Sequence, residues 1–149
     1  MTAFGWSSGE PEEYHWRKPG MVNYLQRCGQ SPHLLGVSVH EYSFNPTDIT
    51  DGAPFRVGRF QMLNQVCDSL GILRVPIHIT EWGWALNDLP DPNTASPQLD
   101  WAAGLYTPHP NVRIPGLWYL GGGWGGIADK AQRLIQPITD KQKAAGCRS

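Results

Sequence analysis

The apolar positions of this chain fall into short dense runs separated by stretches with a helical repeat. Residues 34–42 (LLGVSVHEY), 75–84 (VPIHITEWGW) and 112–120 (VRIPGLWYL) are rich in Val, Ile and aromatic residues, the composition of strands. The first two are almost continuously apolar until they reach ionisable groups, which predicts parallel strands covered on both faces. Pro76 stands near the start of its run, where a missing ladder donor costs least. Between the runs, Pro19 opens a helix through Leu25 and Cys28 that ends at Gly29. Phe60, Leu63, Val66, Cys67 and Leu70 mark one face of a helix over residues 55–70, closed by Gly71. Ile127, Ala131, Leu134, Ile135 and Ile138 do the same over 127–143, with Pro137 expected to kink or end that helix.

The remaining segments are weaker. Residues 3–6 are a short apolar piece running into the small-residue loop Ser7-Ser8-Gly9, and 10–18 are polar and irregular. Residues 45–54 and 86–97 read as polar loops, the second long enough to rim a site, and 98–106 as a short helix. Val39, Ile79 and Tyr119 take comparable places in their runs at equal spacing, the rhythm of consecutive βα units in a parallel sheet. The expectation is one α/β domain over residues 1–149.

Composition narrows the partners. Twelve basic residues against 13 acidic ones give no electrostatic case for nucleic acid or an anionic membrane surface. No apolar run approaches the roughly 20 residues of a membrane helix, and no signal-peptide pattern follows Met1, so a soluble chain is expected. Cys28, Cys67 and Cys147 have no metal-ligand spacing and are read as unpaired thiols. The glycine run 121–126 lacks the Lys-Ser/Thr of a phosphate loop. Seven Trp among abundant Gly and Pro favour a site for a flat, partly apolar ligand such as a sugar ring.

The chemistry concentrates at Glu81, which stands where a strand gives way to a loop, the end at which α/β folds gather ligands and catalytic groups. A strand ending His40-x-Tyr42, a second ending Ile77-x-Ile-Thr-Glu81-x-Gly83 and a third ending in Trp118 before Gly121 together resemble a group of glycosidases. These are the (β/α)8-barrel glycoside hydrolases with catalytic glutamates on strands 4 and 7. The likeness runs from about residue 34 to 140 and covers roughly strands 6 to 8, with residues 3–6 as the end of strand 5. A whole barrel needs about 250 residues, so the implied fold is a half-barrel.

The resemblance implies retaining hydrolysis of O-glycosidic bonds without metal or cofactor. Glu81 matches the nucleophile, His40 and Tyr42 the pair bordering the cleavage subsite, and Trp118 the aromatic platform, with Trp82, Trp84 and Trp124 as further sugar contacts. The implied partner is an oligosaccharide or glycoside. Retaining enzymes set two carboxyl groups about 5–5.5 Å apart, yet no Asn-Glu pair stands for the acid/base. Strand alternation turns Glu41 away from His40 and Tyr42. General acid catalysis contributes on the order of 10²–10⁴-fold, so the chain alone is expected to have little activity. Open sheet edges and an apolar inner face are expected to drive self-association into a homo-oligomer. Two alternatives stand beside this reading: a non-catalytic sugar-binding or structural half-barrel, and a different (β/α) hydrolase in which Glu41 or Glu10 approaches Glu81.

Overall fold

The computed structural model describes residues 1–113, 116–117 and 126–144. The described residues form an α/β fold with a four-stranded, all-parallel sheet and five helices. The elements are β1 (Thr2–Trp6), α1 (Glu13–Trp16), α2 (Pro19–Gln30), β2 (Gly36–Tyr42), α3 (Phe60–Ser69), β3 (Ile77–Gly83), α4 (Pro92–Tyr106), β4 (Val112–Arg113) and α5 (Ile127–Ala144). The strands lie side by side in chain order, β1-β2-β3-β4, each parallel to its neighbour. Leu117 extends the last pairing through a single bridge to Trp82.

Alternation assigns the two faces of β2 and β3. Val37, Val39, Ile77 and Ile79 are buried in one apolar cluster with Leu25, Phe60, Leu63 and Cys67 of the helices. The other face carries Ser38, His40, Tyr42, His78, Thr80 and Glu81, with Ser38 and Thr80 joined hydroxyl to hydroxyl at 2.6 Å. The face away from this apolar cluster is therefore polar, where an apolar one was expected. Glu81 belongs to it only because the ladder slips by one residue. Val39 pairs with Ile79 but His40 pairs with Glu81, leaving Thr80 without an opposite number. Such an insertion redirects the side chains beyond it.

Several boundaries differ from the sequence pattern. Gly29 lies inside the last turn of α2, and a Cβ there would come within 3.2 Å of the Leu73 carbonyl oxygen. Close approach of backbone, not helix termination, is its role. The presumed polar loop 86–97 is half helix: Asp91 caps α4 by accepting from the N–H groups of Asn93 and Thr94, and Pro92 takes the first position, where it lacks no needed donor. Pro97 and Pro137 both lie inside helices, so Pro137 does not end α5. Gly71 does close α3, with φ at +65°. Trp16, in the segment expected to be irregular, is 1% exposed at the end of α1. Cys28 and Cys67 are free and buried, and burial raises both thiols above their ordinary range; Cys147 lies outside the described residues. Among the described residues no helix is long and apolar enough to cross a membrane.

Candidate functional site

Three of the residues singled out by sequence meet at the carboxyl ends of β2 and β3. The Tyr42 hydroxyl donates to Glu81 Oε2 at 3.2 Å, and His40 Nδ1 lies 3.2 Å from the same oxygen, an ion pair whenever the imidazole is protonated. Oε1 has no hydrogen bond among the described residues. Side-chain exposure is 20% for His40 and 24% for Glu81, so both are partly open to solvent. Burial raises the Tyr42 phenol above its ordinary range, and the charge and hydrogen bond of Glu81 raise it further. Tyr42 thus keeps its proton and serves as a donor over the physiological range.

The strand end is pinned from β1. Ser8 Oγ donates to the His40 carbonyl at 3.1 Å and accepts from the Tyr42 N–H at 2.7 Å, bridging two points of β2 beyond the β1 ladder. Gly5 lies against the His40 ring, which a Cβ would meet in ordinary contact at 3.7 Å. Ser43 holds the next step, its single O–H shared between the Trp84 and Asn45 carbonyls while its oxygen accepts from the Asn45 N–H. Neither Ser8 nor the extra residue Thr80 stands out in the sequence, because both act through register rather than through a chemical motif.

Glu41 occupies the opposite face, as alternation predicts. It is fully buried, accepting from the Gly58 N–H at 2.6 Å, the Phe60 N–H at 3.2 Å and the Tyr106 hydroxyl at 2.6 Å. Phe60 opens α3, so the carboxyl group takes the place of an anion at a helix amino end. Gly58, at φ +88°, allows the turn that aims its N–H inward. Burial raises the Glu41 carboxyl above the ordinary range, opposed by the Tyr106 bond and by the Gly58, Phe60 and Arg59 backbone donors. These bonds fix Glu41 on the helix side, which removes it as an approaching partner of Glu81. Tyr106 is raised too, by burial and then by the charge and hydrogen bond of Glu41.

The expected tryptophan contacts need correcting. Trp82 is 3% exposed and its Nε1–H donates to Tyr106 at 2.9 Å; Trp84 is 1% exposed and donates to Gln98 at 2.6 Å. After the slip in register both indoles turn to the helix side and pack edge to face, so neither offers a ring to a sugar on the Glu81 face. Trp118 and Trp124 lie outside the described residues. A cavity of about 680 Å³ opens on the helix side, between Leu99 and Ala103 of α4, Ile138 of α5 and Leu117; its walls are mostly apolar and it is not the Glu81 site. Among the described residues no group of three or more His, Cys, Asp or Glu is placed to hold a metal ion.

The exposed ring stacked on Tyr42 is one the sequence did not mark. Phe44, two residues beyond Tyr42, is 48% exposed, and its ring is parallel to that of Tyr42 at 6.4 Å. Comparison of the chain with protein-family models, curated proteins and solved structures returned no match.

Proposed function

We propose that the chain is a glycoside hydrolase half-barrel, its sheet corresponding to consecutive strands of a (β/α)8 barrel and Glu81 to the nucleophile of retaining hydrolysis. The observation that carries the reading is the convergence of Tyr42 and His40 on one oxygen of Glu81, with the other left without a partner among the described residues. A hydroxyl donor on one oxygen orients the carboxylate, while the second is available to attack an anomeric carbon. Sheet order adds support. Parallel neighbours in chain order would, with crossovers of the usual right hand, place their helices on one face. That leaves the other face for the polar interior and the strand ends for ligand, the arrangement of a barrel rather than of a doubly wound sheet.

The chemistry assigned to Glu81 is the first half of a double displacement: its oxygen forms an ester with the sugar as the leaving group departs with the bonding pair. A good leaving group needs no proton, so this half-reaction is open to a site whose acid/base residue is not identified. Incubation with 2-deoxy-2-fluoro-β-glycosyl fluorides should give one covalent sugar adduct on the peptide containing Glu81, with release of fluoride. Absence of adduct on that peptide across several sugar configurations would overturn the reading.

Non-catalytic sugar binding is the second reading, favoured by the fixing of Glu41 away from Glu81. Saturable oligosaccharide binding that survives Glu81→Gln, without any adduct on the native chain, would establish it. Self-association belongs to the same proposal, since β1 is an edge strand. Constant monomeric mass across the micromolar range would remove that part.

A further inference from the structure

Phe44 follows β2 with φ at +65°, the left-handed region that bulky side chains avoid. Its N–H is tied to the Trp84 carbonyl at 2.7 Å. The surroundings thus hold a phenyl ring half exposed to solvent in a backbone conformation that glycine would adopt more readily. Strain of this kind persists where the neighbouring structure enforces it, and such positions cluster at ligand sites.

Arg56 completes the feature. Its guanidinium carbon lies over the Phe44 ring, 5.1 Å from the centroid, and Nη1 donates to the Ser43 carbonyl. The stem of Arg56 runs beside Gly9, where an added Cβ would stand 3.9 Å from Cγ. Arg56 makes no ion pair among the described residues, and its other N–H groups have no acceptor there. The guanidinium is therefore positioned by the protein but not neutralised by it. Tyr42 links this pair to the carboxylate, stacking parallel to Phe44 while its hydroxyl holds Glu81.

We infer that Phe44 and Arg56 form a sugar subsite next to Glu81 that selects an acidic, uronate-bearing oligosaccharide. A pyranose packs its C–H groups against the part of the phenyl ring that Arg56 and Tyr42 leave exposed, and its carboxylate takes the free donors of Arg56. Aromatic rings suit the apolar face of a sugar, and a planar guanidinium pairs with a carboxylate through two parallel hydrogen bonds. This rests on reading Glu81 as part of a glycoside site and names the substrate class.

Calorimetric titration of the full chain with an oligoglucuronate tetrasaccharide and with the neutral glucose tetramer of the same linkage tests the assignment. The native chain should prefer the uronate, and the preference should shrink as salt is added. Arg56→Gln should weaken uronate binding roughly tenfold and leave the neutral sugar unchanged. Phe44→Gly should weaken both while raising the melting temperature, a combination that a purely structural role would not give. The proposal is overturned if the native chain shows no preference for the uronate, or if Arg56→Gln weakens both sugars equally or neither. Binding is read without turnover. A Glu81 adduct with no uronate preference therefore defeats this subsite alone, whereas uronate preference with no adduct defeats the catalytic reading alone.

Discussion

Glu41 and Glu81 sit on adjacent strands, one step apart in the ladder, and the sheet gives them opposite lives. Glu41 faces the helices, is sealed from water and fills its acceptor positions with Tyr106 and the donors at the start of α3. Glu81 faces away from them, has one oxygen held by Tyr42 and neighboured by His40, and keeps access to solvent. A carboxyl group whose bonds are all made by the protein holds structure together; one with an unused oxygen is available for chemistry. Side-chain identity is the same in both. Orientation and the completeness of the hydrogen bonding separate them.

The sharpest way to break this contrast is Glu81→Gln. It should abolish the covalent sugar adduct, read by mass spectrometry, while changing unfolding stability by less than about 1 kcal/mol, as expected for a partly exposed side chain. Glu41→Ala should do the reverse. It strands the Tyr106 hydroxyl and the backbone donors of Gly58 and Phe60 in a dry interior, so a loss of about 3 kcal/mol is expected in urea unfolding. A loss below about 1 kcal/mol would show that these bonds do not anchor α3. Tyr42→Phe, which removes the hydroxyl that donates to Glu81 Oε2, should slow adduct formation by roughly tenfold with a normal far-ultraviolet spectrum. An unchanged rate would detach Tyr42 from the chemistry.

The gentlest test is pH. Burial raises the folded-state affinity of Glu41 for its proton, so the folded chain binds more protons than the unfolded chain between the two titration points. The resulting stability is fully present below the ordinary glutamate value of about 4.3 and is lost as pH rises through the raised folded value. Glu41→Gln has no such proton to lose. The stability of the native chain relative to Glu41→Gln should therefore fall across that window, measured as urea midpoints, and a flat difference would contradict it.

The apolar runs were sufficient to locate β2 and β3, because a buried parallel strand must be apolar whatever its function. The meeting of His40, Tyr42 and Glu81 was legible for a different reason: ionisable residues ending such a strand have little packing use. Trp82 and Trp84 were misplaced because aromatic residues serve a core and a binding surface equally well, and only the slip at Thr80 decides which. Phe44 and Arg56 went unmarked because their pairing depends on a loop path that no periodicity encodes. The start of α4 was available in Asp91-Pro92, but Pro97 and the polar residues around it obscured a helix that continues past them.

The extra residue in β3 also bears on how this segment tolerates change. Up to Ile79 the two strands keep step, and from Glu81 onward they keep step again with one position uncounted. Many replacements at 80 should preserve that count, although only a residue with a hydroxyl keeps the bond to Ser38. Deleting Thr80 would not remove a residue from the site so much as reverse the parity of the rest of the strand, carrying Glu81 to the helix side or forcing the downstream loop to absorb the difference. In this stretch a substitution is a local event, and a one-codon deletion is a change of face.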